Sequence, residues 1–146
     1  DAAFLSEVPL EVLCDHEADL QADVAKRARH VIEETLRTYE ARDALKLGDV
    51  AAFGCAMFDA HESLRDLYDV SIDELNTIVE FARSQESVLG ARLTGAGFGG
   101  CVAVILRAGA EEPFREAVTA AYAAKHKNEP RVAFYRGSPG LGEVAL

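Results

Sequence analysis

The sequence predicts an α+β fold, a small antiparallel sheet backed by helices, on three observations. Apolar residues recur at three- and four-residue spacing through most of the first half of the chain. Two short apolar, β-branched runs follow, Val88–Thr94 and Cys101–Arg107. A further helical pattern and a last short run, Arg131–Arg136, come after them. Helices followed by strand, strand, helix, strand make a layered α+β domain.

Taken in order, residues 1–18 include Pro9 and have mixed periodicity, and they read as an irregular lead-in. Asp19–Leu45 reads as a helix whose inner stripe is Val24, Ala28, Val31, Thr35 and Tyr39. Gly48 is a natural C-terminal stop, and Asp49 is placed to cap the next helix. That helix carries Val50, Phe53, Met57, His61 and Leu64 on one stripe. Ser71 and Glu74 have capping-box spacing and would open a third helix that buries Ile72, Leu75, Ile78, Val79 and Ala82. The two strands are close enough in sequence to be antiparallel neighbours. Glu111–Lys127 is helical, with Pro113 in its first turn and Phe114, Val118, Ala121 and Tyr122 inward. A last strand, Arg131–Arg136, precedes a Gly-rich end from Gly137 onward.

Bulk properties fit this plan. The 146 residues suit one domain, 49% hydrophobic and 27% charged. No apolar run approaches the roughly 20 residues a membrane helix needs. The net charge of −10, with bases scattered among acids, argues against nucleic acid as a partner. Cys14, Cys55 and Cys101 form no close pair, which suggests reduced thiols in a cytoplasm. Cys14 and Cys55 read as small core residues. No secretory signal opens the chain, and it has no methionine before Met57, so it reads as a piece of a longer protein.

The most distinctive stretch is Thr94–Leu106, TGAGFGGCVAVIL, in which Gly95, Gly97 and Gly100 match G-x-G-x-x-G. A dinucleotide fingerprint requires the loop to end on a helix N-terminus, where free amides hold the pyrophosphate. Here a strand follows, so that reading fails on context. A Walker A loop fails as well, because no Gly-Lys-Ser/Thr follows. A simple hairpin needs one or two glycines, whereas four stand in the six residues Gly95–Gly100. The excess suggests that the backbone closely approaches a ligand or a neighbouring chain segment. Successive amides in such a loop can also form an anion-binding concavity.

Gly90-Ala91-Arg92-Leu93-Thr94-Gly95-Ala96-Gly97-Phe98-Gly99-Gly100-Cys101 resembles the third motif of the GHMP small-molecule kinases in its galactokinase form. Met57-Phe58-Asp59-Ala60-His61-Glu62-Ser63-Leu64-Arg65-Asp66-Leu67-Tyr68-Asp69-Val70-Ser71 is similar to a second galactokinase segment. Arg29–Glu34, with Gly48-Asp49 downstream, resembles the helix upstream of it. Order and spacing agree over about Ala28 to Tyr135. Phe98 separates the match from mevalonate kinases, which tend to have glycine there.

The resemblance implies a ferredoxin-like GHMP kinase C-terminal domain. It also implies a share in transferring the γ-phosphate of Mg-ATP to the 1-hydroxyl of galactose. Such transfer depends on positioning and charge stabilisation. By resemblance Thr94, Gly95, Ala96, Gly97, Phe98 and Gly99 line the cleft between two domains. The family's sugar-recognition segment, its Ser-rich phosphate loop and its catalytic Asp and Arg have no counterpart here. The expectation is therefore no catalytic residue in this chain, a partner N-terminal kinase domain that binds most of the ATP and Mg, and no activity in isolation. The alternatives are a non-enzymatic regulator, sugar sensor or assembly module, or part of a kinase for galacturonate or N-acetylgalactosamine.

Other candidates read as structural. His61 beside Glu62 and Ser63 lacks an orienting carboxylate and suits a hydrogen-bonded packing role. Arg65 and Asp66, adjacent on a helix, point to different faces, and the expectation for them is structural pairing rather than catalysis. Arg92 is equally suited to phosphate or to solvent. The four histidines lack metal-ligand spacing, so no protein metal site is expected.

Overall fold

A computed structural model describes residues 2–136. The Gly-rich end from 137 onward lies outside them. The lead-in is helical, which corrects the reading of 1–18 as irregular: a single turn at Leu5–Glu7, then α1 (Leu10–His16), then another turn at Glu17–Asp19. Pro9 starts α1, where its missing N–H costs nothing. The reason for the helix is tertiary, because Leu13 packs with Ala28 and Ile32 of the next helix, flanked by Val8 and Leu10.

That helix, α2 (Ala22–Leu47), ends as expected. Gly48 adopts φ 72°. Its amide donates to Leu45 O at 3.1 Å while the Asp49 amide donates to Ala44 O at 2.9 Å, a Schellman closure. Its inner face differs from the expected stripe. Ala25, Ala28, His30, Ile32 and Ala44 are buried, whereas Val24 and Tyr39 are exposed. Alanine and leucine recur around this helix, so several faces satisfy the apolar spacing, and the small Ala25 and Ala28 admit the closest neighbours.

Asp49 caps α3 (Val50–Asp66), accepting from the Ala52 amide at 2.9 Å. Met57, His61 and Leu64 are buried as read, while Val50 at the helix start is exposed. Gly54 lets α3 approach β1 (Val88–Thr94) backbone to backbone: a Cβ on Gly90 would sit 2.5 Å from Gly54 Cα. Cys55, next to Gly54, consequently faces out, and Cys14 and Cys101 are exposed as well. Cys14 and Cys55 are thus surface thiols and not the core residues expected. Their neighbours Leu13 and Gly54 take the inward positions.

In α4 (Asp73–Arg83), Leu75, Val79 and Ala82 are buried as expected, and Ile72 and Ile78 are half-buried. The capping box does not form. Ile72 occupies the cap position without a side-chain bond, and the Ser71 hydroxyl donates to Asn76 Oδ1 at 2.7 Å. β1 pairs antiparallel with β2 (Cys101–Leu106), Thr94 opposite Cys101 and Ala91 opposite Val104, with an irregularity between Val88 and Gly90. Ala91 joins Phe58, Val79, Ala82, Phe114 and Val118 in the main core, with Val102 and Val104 packed against it. α5 (Glu111–Ala123) buries Phe114, Val118 and Tyr122.

The expected third strand is absent among the described residues: 131–136 runs without β pairing. Val132 packs against the core, but its carbonyl accepts from the Arg115 guanidinium at 2.7 Å, and Arg115 lies over the Phe134 ring. A run with strand propensity becomes a strand only where a neighbouring edge pairs with it, and here the Val132 carbonyl is satisfied by a side chain instead. The α+β class holds, with a two-stranded sheet. No helix among the described residues is long and apolar enough to cross a membrane.

Candidate functional site

β1 delivers the chain to the glycine loop at Thr94, and the loop stands outward. Thr94, Gly95, Ala96, Phe98 and Gly100 are exposed, and Gly97 and Gly99 half-buried. Gly95, Gly97, Gly99 and Gly100 have φ of 92°, 85°, 133° and 97°, and Phe98 between them is left-handed at 56°. The glycines answer two different demands. A Cβ on Gly95 or Gly99 would meet nothing within 4 Å, so only their backbone angle calls for glycine. A Cβ on Gly97 would lie 2.7 Å from Val70 Cβ, so there the neighbouring chain demands it too. Of the alternatives left open by the sequence, close approach of a neighbouring backbone holds at Gly97.

Val70 is the floor of the loop. Its carbonyl accepts the Phe98 amide at 2.7 Å, and Asp69 before it is itself left-handed, at φ 61°. This bond holds Phe98 in a conformation that costs a non-glycine residue roughly 1–2 kcal/mol, and the phenyl ring projects 74% exposed. Among the described residues, no acceptor engages the amides of Gly95, Ala96, Gly97 or Gly99. Successive free amides in an exposed loop are electrostatically suited to an anionic oxygen.

Beside the loop lies an open groove of about 640 Å³, walled by Arg92, Thr94, Gly95, Phe53, Met57 and Ile105. Its polar rim is paired. Arg92 donates to Glu34 Oε1 at 2.9 Å and to Leu93 O at 3.2 Å, and Arg37 also pairs with Glu34. Arg92, which the sequence left between phosphate and solvent, is thus engaged by α2.

Beneath the loop is a buried polar cluster. The Leu93 amide donates to His61 Nδ1 at 3.2 Å, so the ring proton sits on Nε2 and is donated to Asn76 Oδ1 at 3.1 Å. Burial pushes the His61 imidazole below its ordinary pKa, against the Asn76 hydrogen bond, and Arg65, Arg83 and Arg92 push the same way. This is the packing role expected of His61. Glu62 turns outward to Arg83 at 2.6 Å, and Ser63 lies 2.8 Å from His30 Nδ1, with His30 stacked on Tyr68. The Ser63–His30 pair joins positions 33 apart in sequence, which spacing could not reveal. Ser63 is 5% exposed and His30 has no carboxylate bonded to it, so the pair is not an accessible nucleophile. Arg65 and Asp66 bond to each other at 2.7 and 2.8 Å, the structural pairing expected of them: although they leave the helix on different faces, their side chains are long enough at its end to meet. Among the described residues, no three His, Cys, Asp or Glu side chains converge to hold a metal ion.

An α+β domain that presents this loop beside an open groove belongs to a recognisable class. Residues 41–124 match the family described as "GHMP kinases C terminal", and the chain belongs to that family. Within it the similarity is to galactokinases. The galactokinase of Thermotoga neapolitana is 47% identical over 104 residues, covering 71% of this chain and 30% of that protein. The galactokinase of Roseiflexus sp. is 37% identical over 140 residues, 96% of this chain and 36% of that one. The crystal structure of Lactococcus lactis galactokinase complexed with galactose matches with a TM-score of 0.85 at 36% identity, over 88% of this chain and 34% of that chain. The chain therefore spans about a third of the length of these relatives.

Proposed function

We propose that this chain is the C-terminal lobe of a galactokinase, which transfers the γ-phosphate of Mg-ATP to the 1-hydroxyl of galactose. Thr94, Gly95, Ala96, Gly97, Phe98 and Gly99 form one wall of the reaction cleft. The observation that carries this reading is the outward-facing, Val70-pinned loop in a chain similar to galactokinases. Its amides face the transferring phosphate, and preorganised donors of this kind stabilise developing charge without reorganising. The reacting Asp and Arg, the sugar contacts and most of the nucleotide site belong to an N-terminal kinase lobe, so this chain alone is inactive. Mg²⁺ arrives with ATP. Three free thiols suit a reducing cytoplasm.

The test mixes the chain with a separately produced galactokinase N-terminal lobe and Mg-ATP, and assays galactose, galacturonate and N-acetylgalactosamine. Galactose 1-phosphate should form only in the mixture. Turnover by the chain alone would overturn the division of labour. Because the sugar contacts come with the N-terminal lobe, the sugar turned over reports that lobe, and a mixture that binds without turnover would favour a non-enzymatic module.

A further inference from the structure

The glycine loop combines four glycines with an outward position, so its own chain supplies little to hold it in one shape. Two anchors lie on either side of its tip. Leu93, immediately before Thr94, gives its amide to His61 Nδ1 at 3.2 Å. Phe98 gives its amide to the Val70 carbonyl at 2.7 Å. The anchors are joined below the loop. His61 Nε2 lies 3.1 Å from Asn76 Oδ1, and the same oxygen accepts the hydroxyl of Ser71, the residue after Val70, at 2.7 Å. The circuit runs Leu93, His61, Asn76, Ser71, Val70 and Phe98, and closes through the loop itself.

We propose that His61, Asn76 and Ser71 are positioning residues that set the height and orientation of the Thr94–Gly99 amides. They act through Leu93 on one side and Val70 on the other. His61 is 1% exposed and reaches no open surface, so it touches no substrate and works only through these contacts. Its geometry suits the task. One rigid ring accepts from the strand that enters the loop and donates to the helix that follows the loop's floor. A preorganised site depends on such support beneath the residues that meet the ligand. The catalytic consequence rests on the kinase reading above, whereas the mechanical one does not.

The experiment therefore has two arms. In the first, amide hydrogen exchange is measured without sugar or nucleotide in the chain and in its Ser71→Ala, Ser71→Thr and His61→Phe variants. Ser71→Ala should speed exchange at Phe98 about tenfold, leaving Val118 in α5 unchanged. Ser71→Thr keeps the hydroxyl and should restore the original rate. His61→Phe should free Leu93 and Phe98 together. Since His61→Phe removes a buried side chain and could prevent folding, the half-buried Ser71 carries the decision. Unchanged exchange at Phe98, or equal acceleration at Phe98 and Val118, would overturn the proposal. In the second arm, with the N-terminal lobe and galactose, Ser71→Ala should lower kcat about tenfold with both KM values held, the pattern of an interaction made in the transition state. A loosened loop with undiminished kcat would overturn the link to catalysis while leaving the mechanical result standing.

Discussion

Gly97 and Val70 meet with no room for a side chain between them: a Cβ added to Gly97 would fall 2.7 Å from Val70 Cβ, and the next residue, Phe98, bonds to the Val70 carbonyl. Two stretches far apart in sequence thereby become one surface. The loop's shape depends on this contact as much as on its glycines.

Substitution of the loop glycines should consequently separate into two grades. Gly95→Ala adds only the strain of φ 92° in open space, about 1 kcal/mol. Gly97→Ala adds a collision with Val70 to the same strain and should cost about 2–4 kcal/mol. Urea denaturation of the two variants checks the order. Equal losses would mean that the Val70 contact yields freely.

A larger penalty is expected where α3 crosses β1. Gly90→Ala drives a methyl to 2.5 Å from Gly54 Cα, and both partners are main chain, so neither can rotate away. The cost should be about 3 kcal/mol or more, seen as a fall in Tm. A wild-type Tm would show that helix and strand separate without penalty.

Capping offers a contrast between a bond that forms and one that does not. Asp49→Ala removes the acceptor for the Ala52 amide and should cost about 1 kcal/mol. Glu74→Ala should change stability by less than about 0.5 kcal/mol, since Glu74 forms no box with Ser71. Thermal denaturation of the pair tests whether the sequence motif or the observed geometry governs.

Stability should also fall on acidification. Burial lowers the pKa of His61, and it lowers that of His30 more than Glu34 raises it. Each group in the unfolded chain takes a proton near its ordinary value of about 6.5, before the folded chain does. More protons bound when unfolded means that stability rises with pH. The stabilisation is complete above about 6.5 and is lost as pH drops toward the lower folded values, by at most about 1.4 kcal/mol per pH unit for each histidine. The charged groups around His61 include Arg65 on α3, Arg83 on α4 and Arg92 on β1, which oppose its protonation, and the Asp66 carboxylate at the end of α3, which favours it but is outweighed by burial. Denaturant midpoints at pH 7.5 and pH 5.5 measure the effect. A midpoint that rises on acidification would contradict it.

Local chemistry made much of the fold legible. β1 occupies the Val88–Thr94 range that its apolar run predicts, Gly48 ends α2, and Asp49 caps α3. Glu111 starts α5, and three of the four residues its spacing marks, Phe114, Val118 and Tyr122, are buried, with Ala121 half-buried. These features depend on neighbours within a turn or along one strand. The lead-in helix, the inner face of α2 and the unpaired stretch 131–136 were not legible, because each depends on what packs against it. The glycine loop was visible as a motif. Its floor was not, since nothing in Asp69-Val70-Ser71 announces that this turn meets Gly97-Phe98 some 30 residues later.

By itself, the sequence determined the α+β class, the positions of β1 and β2 and the presence of a loop too rich in glycine for a plain hairpin. Those follow from intrinsic backbone preference and apolar spacing, which act over a few residues. Only the tertiary structure decided that the loop faces outward, that Val70 holds it, and that His61, Asn76 and Ser71 join its anchors. Hydrogen bonds and close contacts between distant segments exist only once helices and sheet have brought them together, and no local preference encodes them.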